Sequence, residues 1–525
     1  MRGKRAGLLA MTGALSLALA ACGGGGSGGG GGAADGNPVV VGTTDKVVSF
    51  DPAGSYDLGS WTIVYNTYQT LMTFEPGGNE PVPDAAESCD FTDEKNTTYV
   101  CTLKDGLKFH DGSPLTAEDV VFSFQRVIDI EDPNGPSTLL ADMKSVEATG
   151  DLEVTFNLKR PAAVWPFIVA TPAGAIVPSD AYPADAKQPN TKVIGSGPYK
   201  LAAYEPGQRA VLEPHDAYNG PGEVANDGAI MTYFDQPSAL KLAIEQAEID
   251  VAYRSLSPTD IADLRETEGV EVVDGEGTEI RYIVFNVKQQ PGKEQAVRQA
   301  MAMLVDRQAI AENVYSGTVD PLYSMVPQGL QYATKAFADR YGTTPDPEGA
   351  KQVLQEAGVK TPAPVELWWT PSHYGPVSAD EYTEIKRQLE DSGLFKVTLK
   401  SSEWQQYSVA YSEDQYPVFQ LGWFPDYPDA HDYTAPFFQD GGFYNNHYKN
   451  EEMNKLLAEE AASTDPQVRE QAFTKIQEIA AEEVPTIPLW QGKQVGAVQQ
   501  GVKGVADTFD ATFIFRMYMI SKPSE

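Results

Sequence analysis

Basic residues are scarce in this chain: 39 Lys and Arg stand against 74 Asp and Glu, for a formal net charge of −35. That balance offers no basic footprint to a nucleic-acid backbone or an anionic lipid surface. It reads as a soluble, self-repelling surface, with attraction of a cationic ligand as the other reading. The five histidines, His110, His215, His373, His431 and His447, are scattered. There is no Gly-x-Ser-x-Gly elbow, His-Glu-x-x-His pair, phosphate loop or dinucleotide fingerprint, so the enzymes those motifs mark are not expected. Carboxylates are abundant enough for a glycosidase pair, but no spacing selects one. No metal and no cofactor is expected. Beyond residue 21, no stretch is long and apolar enough to cross a membrane.

Cysteine is nearly absent, with three in all. Cys22 follows Arg2, Lys4, Arg5 and an apolar run from Ala6 to Ala21, and Gly/Ser sequence follows it to Gly32. A short positive segment, a short apolar core and small residues before a cleavage point describe a secretory signal. Leu19-Ala20-Ala21-Cys22 resembles a bacterial lipobox, in which the chain is cut before the Cys and the thiol is acylated. An ordinary signal peptide with an incidental Cys is the alternative. Residues 1–21 are therefore expected to be a signal peptide and 22–36 a lipidated Gly-rich tether. The mature chain would sit on the outer face of the bacterial cytoplasmic membrane. A Gly-rich coil of this length spans roughly 20 Å, so the folded part stays near the bilayer yet tumbles freely. Cys89 and Cys101 remain as a pair in an oxidising compartment. A disulfide is expected between them, contributing roughly 3 kcal/mol by the chain-entropy estimate. The alternative, a metal site, lacks further thiols or a nearby His cluster.

With 42% hydrophobic and 10% aromatic residues, the remainder is globular. It is too long for one core, so two or three lobes are expected. Strands and helices alternate, which argues for α/β lobes. Val39 to Thr43, Tyr99 to Leu103, Leu107 to Phe109, Leu152 to Leu158 and Arg281 to Phe285 read as strands. Val365–Trp369, Val397–Lys400 and Val418–Trp423 read likewise. Thr116 to Asp119 opens a helix with a capping-box pattern, burying Val120, Val121, Phe124, Val127 and Ile128. Further helices are expected over Gln295–Val314, after Asp346-Pro347 up to Gly358, around Tyr382–Leu389, and after Asp465-Pro466. Phe509 to Ile520 reads as strand-rich and aromatic. A helical block between strand-rich blocks suggests two lobes with more than one crossing, and hence a hinge.

The densest polar-aromatic segment runs from Gly422 to Asp432, after the apolar strand Val418–Leu421. Its acids should lie on the loop at the strand's C-terminal end, where ligands of α/β sheets sit. Three readings stand: a solvated acidic loop, a hard-cation site of Asp426, Asp429 and Asp432 without EF-hand spacing, or Asp426 as counter-ion to a ligand ammonium between aromatic walls. A desolvated carboxylate discriminates strongly for a cation. Trp368 and Trp369, adjacent on a strand, must face opposite sides. Trp61, Tyr65 and Trp490 fit cleft or core equally.

The mature chain resembles the family 5 extracellular solute-binding proteins, the peptide receptors of bacterial ABC importers. The resemblance rests on Tyr99 to Ser123, with its Leu107-Lys-Phe-His-Asp-Gly112 turn and Thr116-Ala-Glu-Asp-Val120 helix start. It rests also on Ile194-Gly-Ser-Gly-Pro-Tyr199, Phe285-Asn286, Val297-Arg-Gln-Ala300 and Val305-Asp-Arg307. It implies an α/β, two-lobed periplasmic-binding-protein fold (type II, cluster C) with an extra N-terminal subdomain. Residues 37–58, 190–282 and 490–525 would form lobe I, 59–189 the subdomain and 283–489 lobe II. It implies a monomeric receptor, not an enzyme, that captures a peptide or other small solute and delivers it to permease subunits. Oligosaccharides are the alternative ligand and a cell-surface hydrolase the alternative class. Oligopeptide-binding relatives place a Trp nineteen residues before a Trp-x-x-Asp-Tyr motif, as Trp404 and Trp423 to Tyr427 stand here. By that match Asp426 would hold the peptide ammonium, and Trp404, Trp423, Phe424 and Tyr427 would line the site. Gly54 to Asp57, with Tyr56, loosely match the segment that pairs with the peptide backbone. The relatives carry basic residues between the two Trp to meet the peptide carboxylate. Gln405 to Gly422 has no Arg, Lys or His, which leaves capture of the carboxylate open.

Overall fold

The computed structural model describes residues 37–523 apart from Ser255, Ser372 and Pro376. The expected signal segment, Cys22 and the tether lie outside the described residues.

Val39–Thr43 is a nearly uninterrupted apolar run, and it lies at the centre of a seven-stranded sheet. Its parallel neighbours are Ala229–Tyr233 and Val251–Tyr253. Arg209–Pro214 and Tyr199–Glu205 continue one side, and Gln494–Gln499 and Val270–Gly275 the other. Ile280–Phe285 plays the same part in a second, six-stranded sheet, and all six of its residues are buried. Burial on both faces is what a continuous apolar strand implies. Ile283 and Phe285 pack under the helices Gln295–Leu304, Pro347–Glu356 and Ser378–Asp391. Ile280, Tyr282 and Val284 face the other core, which holds Tyr407, Phe473 and Ile476. The antiparallel partners of this central strand are Val418–Trp423 and Thr486–Gly492. A mixed α/β, two-lobed binding-protein architecture results.

A four-stranded antiparallel sheet, Ala86–Phe91, Thr98–Leu103, Glu153–Leu158 and Met143–Ala148, carries the helix Ala117–Ile130 on one face. Thr116 caps that helix, and Asp119 returns the bond to the Thr116 amide, completing the capping box. Cys89 and Cys101 stand directly opposite each other in this sheet and are joined by a disulfide.

The chain passes from the first large sheet to the second between Gly275 and Ile280, and returns between Gly492 and Gln494. The two crossings touch. A Cβ on Gly277 would lie 2.2 Å from the Gly492 carbonyl oxygen, so only glycine fits there. The Gly492 amide donates to the Glu279 carbonyl at 2.8 Å, and the Gln494 side chain donates to the Glu276 carbonyl at 2.7 Å.

Three expectations fail. Gln295 to Val314 is not one helix: it stops at Leu304 and restarts after Asp306, whose carboxylate caps the Ala309 amide at 2.9 Å. Leu107 to Phe109 makes only an isolated bridge, Lys108 with Pro114. Phe509 to Ile520 holds no strand. Its aromatic residues serve as packing instead, with Phe515 stacked on Tyr253 at 3.9 Å. Its backbone is satisfied by side chains such as Asn66, which accepts from the Met517 amide at 3.1 Å.

One buried ion pair ties the helix Ala117–Ile130 to the segment before Tyr56. Arg126 donates to both oxygens of Asp51, at 2.7 and 2.6 Å, and both side chains are buried. Arg387, by contrast, pairs with Glu384 at an exposed surface. Breaking a buried pair strands a charge, so Arg126→Met is expected to cost about 3–5 kcal/mol of stability. Arg387→Ala is expected to cost no more than about 1 kcal/mol. Denaturant unfolding of the two variants checks the contrast.

Candidate functional site

Val418–Trp423 ends at Gly422-Trp423, and Pro425 and Pro428 prevent its continuation. The chain turns into the short helix Ala430–Tyr433, where Asp429 caps the His431 amide at 2.8 Å. The three acids of this loop do different work. Asp429 receives a two-pronged contact from Arg469, at 2.7 and 2.9 Å. Arg469 also reaches Glu460, which pairs with His431. Asp432 is buried and accepts from the Asp426 amide at 2.9 Å and the Trp423 indole N–H at 3.0 Å. It therefore fixes both the backbone of Asp426 and the ring of Trp423. Asp426 accepts from the Tyr56 hydroxyl at 2.7 Å.

Tyr56 follows the strand Val39–Thr43 of the seven-stranded sheet, and Asp426 follows a strand of the six-stranded sheet. Tyr56 precedes Asp57, whose carboxylate caps the helix Leu58–Thr67 through the Ser60 amide at 2.8 Å. The contact with Asp426 thus joins segments that lead from the two large sheets. Among the described residues, no Lys, Arg or His nitrogen lies within ion-pair reach of Asp426 or Asp432. Burial pushes the Asp426 carboxyl up to about 6, and the Tyr56 hydrogen bond opposes the rise. Burial also lifts Asp432 well above the ordinary range, and the neighbouring Asp426 charge adds to it. With Asp429 committed to Arg469, the three acids do not form a hard-cation cage. No group of three or more metal-type ligands occurs among the described residues.

The aromatic residues divide. Trp423 lies edge-on to Phe437 at 5.2 Å and to the exposed Phe443 at 5.5 Å. Trp404 begins the helix Trp404–Ser412 and is covered by the His373 ring. Phe424 is half-buried and meets Phe513 edge-on at 6.2 Å. Tyr427 is buried against Phe167 of the subdomain core, 6.1 Å between ring centres. Trp61 is buried and donates to the Ser55 carbonyl at 2.8 Å; Trp490 is buried and donates to Glu381 at 2.7 Å. Trp368 stacks on Tyr416 at 4.1 Å, while Trp369 packs on the opposite core.

Two arginines lie outside the stretch where sequence reasoning looked for basic residues. Arg281 is buried, pairs with Glu279, and lies over the rings of Tyr374 at 4.2 Å and Trp490 at 5.0 Å. Arg254, just after the strand Val251–Tyr253 of the seven-stranded sheet, pairs with Asp45 at 3.3 Å and lies 5.3 Å from the centre of Phe424. Arg281 is 5.7 Å from the same ring. An arginine inside an otherwise apolar buried strand was the signal available for Arg281. Arg254 sits at φ +62°, a left-handed conformation rare outside glycine, which sequence does not reveal. Each arginine is already matched by a carboxylate.

Residues 80–445 match the model of the bacterial extracellular solute-binding proteins, family 5. The chain is 25% identical over 502 residues to a probable D,D-dipeptide-binding periplasmic protein of Escherichia coli strain K12, covering 92% of this chain and 94% of that one. It is 26% identical over 512 residues to heme-binding protein A of Haemophilus influenzae, covering 89% of each. An ABC transporter substrate-binding protein of Listeria monocytogenes has the same fold, with a TM-score of 0.81, 24% identity and coverage of 93% and 99%.

A raised carboxyl carries a stability consequence of definite sign. Folding favours the protonated form of Asp426, so its burden is absent below about pH 4, grows as pH rises toward 6, and stays constant above. Asp426→Asn is therefore expected to stabilise the empty protein at pH 7 by on the order of 1 kcal/mol and to change it little at pH 4. Thermal unfolding at the two pH values checks this.

Proposed function

The chain belongs to family 5 of the bacterial extracellular solute-binding proteins, and from that premise we propose that it is a receptor for peptides with a free amino terminus. The observation that carries the reading is Asp426, a carboxylate with no cation in ion-pair reach among the described residues and with the Tyr56 phenol, from a distant segment, resting on it. A peptide ammonium would supply the missing charge. It would replace a neutral hydroxyl with a charge-assisted hydrogen bond, roughly twice as strong. Closure over the ligand excludes water and strengthens that bond. The closed form is favoured only by as much as the ligand binds it better than the open one.

The reading involves binding without turnover. Asp432, the carboxylate nearest Asp426, is occupied by the Trp423 indole and the Asp426 amide, so the two do not stand as a free acid and base. A sugar ligand would leave the Asp426 charge unmatched. The receptor would act as a monomer, held to the outer face of the cytoplasmic membrane by lipid on Cys22 and handing its ligand to ABC-importer permease subunits.

Three results are expected. Asp426→Asn weakens binding of a free-amine peptide far more than of its N-acetylated form, by titration calorimetry; equal losses would remove Asp426 from the ammonium site. Affinity of the wild-type protein for the free-amine peptide follows a bell. Its acid limb falls below about pH 6 as Asp426 takes a proton, and its basic limb falls above about pH 8 as the amine loses one. Asp426→Asn flattens the acid limb. Cys22→Ser moves the protein from the membrane to the soluble fraction on cell fractionation; retention in the membrane would refute the anchor.

A further inference from the structure

The helix Glu451–Ala462 has no basic residue in its last turn, and the final carbonyls of a helix have no partners within it. Two of them are met from a distant part of the chain. The Ala461 carbonyl accepts from the Ala163 amide at 2.8 Å, and the Ala462 carbonyl accepts from the Asn96 side-chain amide at 3.0 Å. Both donors come from one end of the four-stranded sheet. Asn96 lies in the turn between Ala86–Phe91 and Thr98–Leu103, and Ala163 follows Glu153–Leu158. The helix itself is packed elsewhere: its Met453 and Leu457 share a core with Ile280, Tyr282 and Val284 of the six-stranded sheet.

The donors are fixed by their own surroundings. Asn96 stands at φ +54°, a left-handed conformation that asparagine tolerates. The Asp93 carboxylate accepts from the Thr97 and Thr98 amides, each at 2.9 Å. The Asn96 carbonyl accepts from the Ala162 amide at 3.3 Å. A donor ordered in this way loses little freedom on meeting a carbonyl, and the negative end of a helix favours it. Beyond the helix end, the contacts lead to the acid loop. Glu460 is fully buried, pairs with His431 and lies 3.3 Å from Arg469, which holds Asp429. Phe167, four residues after Ala163, meets Tyr427, the residue after Asp426. Residues 162–167 thus touch both the loop and the helix that braces it.

We infer that Asn96 and Ala163 are positioning residues for binding: their N–H groups latch the four-stranded sheet onto the end of the helix Glu451–Ala462 when the cleft closes, and so hold the Asp426 loop in place without meeting the ligand. The inference rests on the closing receptor proposed above. Opening returns both carbonyls and both donors to water, so the latch contributes only the net gain of neutral hydrogen bonds. That gain is the same for every solute over which the cleft closes. The latch therefore sets how long a ligand stays, not which ligand is chosen.

Asn96→Gly keeps the left-handed backbone and removes the donor. Asn96→Asp keeps the shape and sets a carboxylate against the negative end of the helix. Titration calorimetry and stopped-flow kinetics with Ala-Ala-Ala and its N-acetylated form read the effect. Asn96→Gly is expected to weaken both peptides by about fivefold, chiefly through faster dissociation, and Asn96→Asp by more. The ratio of the two affinities is expected to stay as in the wild-type protein. Unchanged affinity in both variants, with or without a lower melting temperature, makes the contact merely structural and overturns the inference. A loss confined to the free-amine peptide overturns it as well. If neither peptide binds the wild-type protein, the peptide reading falls and the latch is judged separately. Spin labels are then placed by Glu94→Cys and Glu459→Cys in a Cys22→Ser background, and their separation is measured by pulsed electron paramagnetic resonance. Loss of the short-distance population on adding Asn96→Asp upholds the latch, and an unchanged distribution overturns it.

Discussion

A carboxylate with no cation in ion-pair reach among the described residues, held where segments from the two large sheets meet, is the constraint on which this site depends. Asp426 is half-buried, and its amide is held by a second buried carboxylate, Asp432. Burial raises the proton affinity of both acids, and the Asp426 charge raises that of Asp432 further. The fold tolerates this through hydrogen bonds alone: the Tyr56 hydroxyl on Asp426, and the Trp423 indole N–H and Asp426 amide on Asp432. Each donor relieves part of the charge and none neutralises it. What remains uncompensated would favour a cation beside Asp426.

Apart from Asp426 and Asp432, the acids of this neighbourhood named above are charge-matched. Asp429 is answered by Arg469, Glu460 by Arg469 and His431, Glu279 by Arg281, and Asp45 by Arg254. Arg254 from one lobe and Arg281 from the other flank the Phe424 ring, close to the crossings where Gly277 and Gly492 touch. The pairs near these crossings are thus satisfied without a ligand. Asp426 follows Val418–Trp423, an antiparallel neighbour of a strand buried on both faces, so its position is set by a packed core, while its partner Tyr56 comes from the segment before the helix Leu58–Thr67.

Much of this was legible from residue order because it depends on local patterns. The run Val39 to Thr43, the capping box at Thr116, and the glycines after the helices Pro347–Glu356 and Ser378–Asp391 give away their elements through sterics and hydrogen bonding within a few residues. The Trp404 and Trp423-to-Tyr427 pattern pointed to the segment that now holds Asp426 against Tyr56. What escaped is non-local. Phe509 to Ile520 alternates like a strand, but its backbone bonds to side chains of distant segments, and no periodicity encodes that. Asp432 looked like one more acid on a loop, and only its two donors show that it organises the others. Arg254 and Arg281 are far in sequence from the loop they flank, and the stacking of His373 on Trp404 joins residues that no motif links.

On the proposed reading, the protein places one of its own groups where a ligand's group would go: the Tyr56 hydroxyl on Asp426. It is a weaker version of what it stands for, because a phenol donates one neutral hydrogen bond where an ammonium donates a charged one. Binding would then be an exchange, and its free energy a difference between two occupied states, not the full strength of the new contacts. Such an exchange would lower affinity for any solute that merely fills space, because it offers nothing better than the group it displaces. It would reward a solute that brings a positive charge to that place. Selectivity would then come from how good the internal substitute is. A tighter substitute would sharpen discrimination at the expense of affinity, and a looser one would do the reverse.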